Sequence, residues 1–227
     1  MNIALIVAGG SGLRIGGEMP KQFLEVCGKS IIIHCMEAFD RHTGIDEIIA
    51  VCQPEHMQLL CQQTEKFGVR KLQRIVEAGA TRRESVLNGL KAVGDERAIM
   101  LIHDAARPLV SEKIISDNIA AAISCGAAVT AIPAVDTMFI SQDGLFAGQS
   151  LERNRLYSAQ TPQSFRLAII MGAHLMADGA GGTDATDDCQ LALAAGHKVE
   201  IVQGSERNFK VTTPGDLDRL RAILDGR

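Results

Sequence analysis

Ile3-Ala4-Leu5-Ile6-Val7, then Ala8-Gly9-Gly10-Ser11-Gly12-Leu13-Arg14, then Pro20-Lys21-Gln22: this opening stretch decides how the chain is read. The apolar run reads as a buried strand. The glycines after it let backbone N–H groups approach anionic oxygens, because no Cβ stands in the way. Arg14 and Lys21 then place positive charge where a triphosphate would lie. A Walker A loop would need GxxxxGK[ST], which the residues after Gly10 do not supply. A dinucleotide fingerprint needs GxGxxG running straight into a helix. Here Gly10-Ser11-Gly12 meets its next glycine one residue late, at Gly16, and Pro20 stands where the helix would run. A tight turn also demands glycine. The Arg and Lys favour a phosphate loop over an ordinary turn.

Outward from this loop, strands and helices alternate. Strands are expected at Ile3–Val7, Glu47–Cys52, Leu72–Val76, Ala98–His103, Ala127–Ile132 and Val199–Val202, most of them short and rich in Val, Ile and Ala. Ser30–Phe39 places Ile33, Met36 and Phe39 at helical spacing. Thr81-Arg82-Arg83-Glu84 reads as a capping box. Ser111 to Ser124 sets Ile114, Ile115, Ile119 and Ile123 on one side. Thr213-Pro214-Gly215-Asp216 opens a last helix, with Pro at its first position and an acid in its first turn. This alternation predicts an α/β fold, a mostly parallel sheet with helices on both faces, in a single domain over 1–227. Asp136 to Tyr157 breaks the rhythm. Met138-Phe139-Ile140 and Leu145-Phe146 flank Asp143-Gly144 and read as a protruding hairpin arm, 136–157. It has too few apolar residues for a core of its own, so it lies over a site or docks onto a second subunit. A homodimer is the expectation.

Composition narrows the function. Hydrophobic residues make up 46 % of 227, enough for a sizeable core. Trp is absent and aromatics are 4 %, against stacking platforms for single-stranded nucleic acid. A formal charge of −4 with no basic run argues against bulk DNA or RNA binding, though not against a local basic pocket. Cys27, Cys35, Cys52, Cys61, Cys125 and Cys189 form no CxxC pair, and most lie in apolar segments. They read as reduced core thiols of a cytoplasmic protein. No signal-peptide pattern precedes the first strand, and no apolar run reaches the ~18 residues of a membrane span.

Ligands of an open parallel sheet bind at the carboxyl ends of its strands. His103-Asp104-Ala105-Ala106-Arg107-Pro108 follows a very apolar strand there. Asp104 is a natural Mg²⁺ ligand and Arg107 a holder of a second phosphate, with a helix cap or turn as the plainer role for Asp104. Arg82 and Arg83 oppose the dipole of the helix they open, a misfit that favours function. Further clusters are Arg153 with Gln160-Thr161-Pro162-Gln163, Thr186-Asp187-Asp188, and Asn208-Phe209-Lys210-Val211-Thr212. The Asp-rich run near residue 187 lacks EF-hand spacing, the histidines lack zinc-ligand spacing, and no nucleophile elbow occurs.

Taken in order, Ala8-Gly9-Gly10-x-Gly12-x-Arg14, Pro20-Lys21-Gln22, His103-Asp104-Ala105-Ala106-Arg107-Pro108, Asp136-Thr137, Gln160-Thr161-Pro162-Gln163-x-Phe165, Thr186-Asp187-Asp188 and Asn208-x-Lys210-Val211-Thr212 span nearly the whole chain. The set resembles the cytidylyltransferase family of the non-mevalonate isoprenoid pathway, which acts on 2-C-methyl-D-erythritol 4-phosphate and has a close relative acting on ribitol 5-phosphate. The resemblance implies a Rossmann-like nucleotidyltransferase fold, a dimer interlocked through the arm, CTP and a polyol phosphate as substrates, and Mg²⁺. It implies Arg14, Lys21, Arg153 and Lys210 as catalytic. It implies Ala8, Gly9, Gly10, Ser11, Gly12, Gly79, Arg82, Ser85, Asp104 and Ala105 around the nucleotide, with Asp104 on the metal. It implies Arg107, Asp136, Thr137, Arg153, Thr161, Thr186 and Lys210 around the acceptor, some of them from the partner subunit.

The chain departs from the methylerythritol branch in having Gly9 where that branch usually has Ala, and Phe139 where it often has Lys. Met19, Phe23 and Tyr157 also point to the ribitol branch. The short Arg14-to-Pro20 spacing, Ala106 and Thr186-Asp187-Asp188 point to methylerythritol phosphate, which is the expected acceptor, with ribitol phosphate as the alternative. The residue types suit phosphoryl chemistry without a base. A phosphate monoester is largely ionised at pH 7, so positioning and charge neutralisation suffice.

Overall fold

The computed structural model describes residues 1–10, 19–179 and 185–226. In chain order the elements are β1 (Asn2–Ala8), β2 (Glu25–Val26), β3 (Lys29–Ser30), α1 (Ile31–Arg41), β4 (Glu47–Cys52), α2 (Pro54–Phe67), β5 (Leu72–Glu77), α3 (Arg82–Lys91), β6 (Ile99–Asp104), α4 (Glu112–Cys125), β7 (Ala127–Pro133), β8 (Tyr157–Arg166), α5 (Leu167–Gly179), α6 (Asp188–Ala194), β9 (Glu200–Gln203) and α7 (Pro214–Leu224). Seven strands form one sheet in the order β5-β4-β1-β6-β8-β7-β9. Every pairing is parallel except those of β8, which runs antiparallel to both β6 and β7.

Alternation along β1 explains the layers. Ala4, Ile6 and Ala8 face a core shared with α1, α2 and α4. Ile3, Leu5 and Val7 face the opposite core, with α3, α5 and α6. Each fully buried Ile or Leu contributes about 1.5–3 kcal/mol. A strand covered on both faces can therefore be apolar throughout. Gly89 lets α3 lie close on β1, since a Cβ there would stand 2.4 Å from Cδ1 of Leu5. The small hairpin β2–β3 and α7 carry a third cluster around Val26, Val211 and Leu220. The predicted start of α7 is present as a full capping box between Thr213 and Asp216.

Several expectations need correction. β8 was not expected as a strand. Ile123 is 54 % exposed rather than part of the buried face of α4. Cys27, Cys61 and Cys125 are exposed, so only half of the cysteines are core thiols. The arm is a hairpin, but Leu145 and Phe146 belong to its turn, where Asp143 accepts both of their N–H groups. Its pairing runs instead between Met138–Ile140 and Gly148–Leu151, with one bridge between Phe139 and Ser150. Among the described residues no helix is long and apolar enough to cross a membrane.

Candidate active site

The carboxyl ends of β1, β4 and β6 open into a cleft of about 520 Å³, lined by Ala8, Gly9, Gly10, Lys21, Gln53, Arg82, Ser85, Asp104, Ala105 and Lys210 among others. The glycine stem leaving β1 is held from both sides. Gln22 Nε2 donates to the carbonyls of Ala8 (2.7 Å) and Gly10 (3.0 Å). Gln53, the residue after β4, donates to the intervening carbonyl of Gly9 (2.8 Å). Side-chain amides thus take backbone carbonyls at and past the end of β1. Lys21 is buried in the short 3₁₀ turn Lys21–Phe23, and its ammonium donates to the carbonyl of Val211 at 2.7 Å. The first turn of α3 supplies the far wall. Thr81 caps it by accepting from Glu84 N, and Ser85 Oγ meets Gly79 N at 3.1 Å. The predicted box is only half present, because the Glu84 carboxylate takes Ala80 N rather than Thr81 N.

A second, smaller cavity of about 160 Å³ adjoins the first and is lined by Arg82, Asp104, Arg107, Gln160, Thr161, Gln163, Thr186, Asp187 and Lys210, with Ala159. Arg82, Asp104 and Lys210 line both spaces. Asp104 is the centre of this wall. Its Oδ2 accepts from Lys210 Nζ at 2.7 Å and its Oδ1 from Arg82 Nε at 3.4 Å. Burial pushes its carboxyl up, but Arg82 and Lys210 overrule that and hold it well below the usual carboxylate range. Arg107 donates to the carbonyl of Asn208 at 2.7 Å. Burial pulls its guanidinium below the ordinary arginine value, as expected where positive charge gathers. Beneath the wall, burial pushes His103 down to about 4, so the ring is neutral at pH 7. Its Nε2 faces the carbonyl of Arg107 at 3.0 Å, and its Nδ1 faces Thr161 Oγ1 at 3.1 Å. The network assigns the proton to Nε2, leaving the Thr161 hydroxyl to donate to Nδ1 while accepting the Asp104 N–H.

Asp104 was expected to hold a metal. No group of three or more His, Cys, Asp or Glu side chains converges among the described residues. A lone carboxylate suits Mg²⁺ that keeps waters and phosphate oxygens. Both oxygens of Asp104 already face cations, so the donor set fits an ion that arrives with its nucleotide rather than one held beforehand.

The other expected residues divide by place. Arg14, Ser11 and Gly12 lie outside the described residues. Ala8, Gly9, Gly10, Lys21, Arg82, Ser85, Asp104, Ala105 and Lys210 line the larger cleft, while Arg107, Thr161 and Thr186 line the smaller cavity. Gly79 supports the α3 turn, where a Cβ would stand 2.3 Å from Cβ of Glu84. Asp136, Thr137 and Arg153 sit exposed on the arm and in neither lining, with Arg153 donating to the carbonyl of Val135. Sequence reasoning missed Gln22 and Gln53 as supports. Gln22 was visible within Pro20-Lys21-Gln22, whereas Gln53 gave no signal beyond its place after a strand.

These features define a Rossmann-like nucleotidyltransferase: a glycine stem after β1, and a cationic wall shared by two adjoining spaces. Residues 2–226 match IspD, 2-C-methyl-D-erythritol 4-phosphate cytidylyltransferase, and the chain belongs to that family. It is 40 % identical to the 2-C-methyl-D-erythritol 4-phosphate cytidylyltransferase of Alkaliphilus oremlandii, over 98 % of this chain and 94 % of that one. It is 36 % identical to the ribitol-5-phosphate cytidylyltransferase of Streptococcus agalactiae, over 100 % of this chain and 97 % of that one. The crystal structure of 4-diphosphocytidyl-2C-methyl-D-erythritol synthase from Anaerococcus prevotii superimposes with a TM-score of 0.86 at 31 % identity, covering 99 % and 96 % of the two chains.

Proposed function

We propose that the protein transfers the cytidylyl group of CTP to 2-C-methyl-D-erythritol 4-phosphate, giving 4-diphosphocytidyl-2-C-methyl-D-erythritol and pyrophosphate. The observation that carries this reading is the Arg82–Asp104–Lys210 wall between two adjoining cavities. The larger space suits the nucleotide and the smaller one the acceptor. An oxygen of the acceptor phosphate attacks the α-phosphorus, and the bond from that phosphorus to the pyrophosphate oxygen breaks. Lys21, Arg82 and Lys210, together with Arg14, offset the repulsion between the two anions. Asp104 would hold the Mg²⁺ brought by CTP, which would add positive charge at the triphosphate. Asp136, Thr137 and Arg153 lie on an arm with exposed Leu145 and Phe146, which suits a homodimer whose arms reach the partner's acceptor space. The setting is cytoplasmic, with no nucleic-acid or membrane partner.

Pyrophosphate release with CTP and each polyol phosphate tests the proposal. Turnover is expected with 2-C-methyl-D-erythritol 4-phosphate. The ribitol-type relatives support ribitol 5-phosphate as the second reading, and turnover with that acceptor alone would reverse the choice. Lys21→Ala or Arg14→Ala is expected to lower kcat by about 10²-fold with the fold intact, the loss typical of one preorganised electrostatic group. Unchanged turnover would remove that residue from the mechanism.

A further inference from the structure

Arg82 and Arg83 open α3, where the helix dipole disfavours positive charge. Each is matched by a carboxylate carried on the helices behind α3. Arg83 pairs with Asp178 of α5. Arg82 uses Nη1 to bond Oδ2 of Asp188, the first residue of α6, at 2.8 Å. Asp188 is 1 % exposed, and burial alone would drive its carboxyl towards neutrality. Arg82 first, then His174, hold it ionised instead. His174, on α5, is fully buried and sets Nε2 3.2 Å from Oδ1 of Asp188. Its Nδ1 has no hydrogen-bond partner, so the contact with Asp188 is the ring's one hydrogen bond among the described residues. The start of α6 is itself tied to β8, where Gln163 donates to Asp187 Oδ2 and accepts from Cys189 N.

We infer that His174 is a positioning residue that, through Asp188, sets the direction of the Arg82 guanidinium on the wall between the two cavities. His174 lines neither space. With both Asp188 oxygens engaged, the carboxylate has one orientation, and Nη1 of Arg82 is pinned from below while Nε faces Asp104. Remove the imidazole donor and Oδ1 loses its partner, so the carboxylate turns to share both oxygens with Arg82 and draws it off Asp104.

This inference rests on the proposed cytidylyl transfer. The test is a double-mutant cycle of His174→Leu and Arg82→Ala, read as kcat/KM for CTP and as CTP binding by calorimetry, with melting temperature recorded for every variant. His174→Leu is expected to lower kcat/KM about tenfold, less than the ~10²-fold that a misplacement of order 1 Å can cost. His174→Gln, which can still donate to Asp188, recovers most of the loss. In the Arg82→Ala background His174→Leu changes neither readout further, because the two act as one unit. A packing role alone would lower the melting temperature and carry its loss unchanged into that background, which overturns the inference. So does wild-type turnover undiminished in His174→Leu. Should that variant fail to fold, Asp188→Asn is read in the same cycle with the same expectations. A wild-type chain inert with CTP and both acceptors overturns the transfer reading itself.

Discussion

A Cβ built on Gly9 would stand 2.8 Å from Cβ of Ala78 and 2.9 Å from Oγ of Ser85. The methyl that the methylerythritol branch usually carries at this position thus has its space filled by Ala78, just past the end of β5. The hydroxyl of Ser85 can rotate, but the Ala78 methyl is fixed to its backbone. Gly9→Ala alone is therefore expected to destabilise by about 1–3 kcal/mol as overpacking and to raise KM for CTP. Gly9→Ala with Ala78→Gly should recover most of both losses. Urea midpoints and CTP kinetics on the two single variants and the double variant decide it, and strictly additive effects would show that the residues do not share one space. This departure was visible at Gly9. Its counterpart was not, because Ala78 lies about 70 positions away in a segment that reads as an ordinary strand end.

At the level of elements, β1, β4, β6 and β7 were legible because each is a short, largely apolar run. β8 was not. Its stretch Tyr157-Ser158-Ala159-Gln160-Thr161-Pro162-Gln163-Ser164-Phe165-Arg166 is polar and interrupted by proline, which usually argues against a central strand. Gln160, Thr161, Gln163 and Ser164 are buried, and their hydrogen bonds hold the site together. Thr161 joins His103 to Asp104, Gln160 meets Asn208, and Gln163 anchors α6. Hydrogen bonds across the sheet, rather than a hydrophobic pattern, select this strand. The junction also sets a pH dependence. His103 titrates at about 4 in the fold against 6.5 ordinarily. The unfolded chain therefore takes up a proton first as pH falls, and stability present above about pH 6.5 drains away towards pH 4. His103→Asn should be less stable than wild type at pH 7 and should lose less between pH 6.5 and 4. A wild-type-minus-variant difference that stays level across that window in urea titrations would refute this.

On the scale of the whole molecule, the arm carries Leu145 at 82 % exposure and Phe146 at 76 %, far from either core. Side chains this exposed add little to the stability of one protomer. For the proposed homodimer, Leu145→Asp with Phe146→Asp is accordingly expected to leave the melting temperature of the separated chain nearly unchanged and to shift sedimentation from two chains to one. If Arg153 of the arm serves a neighbour's acceptor space, as proposed, CTP binding should survive while turnover falls. An unaltered sedimentation coefficient would assign the arm another role. The internal partition has a wider consequence. The larger cleft is walled by the ends of β1 and β4 and the start of α3, and the smaller cavity by β8 and the entry to α6. Arg82, Asp104 and Lys210 are the frontier between them. With the donor in the larger space and the acceptor in the smaller, as proposed, a lineage could exchange one sugar alcohol for another by edits on the far bank alone, leaving its grip on the activated donor intact.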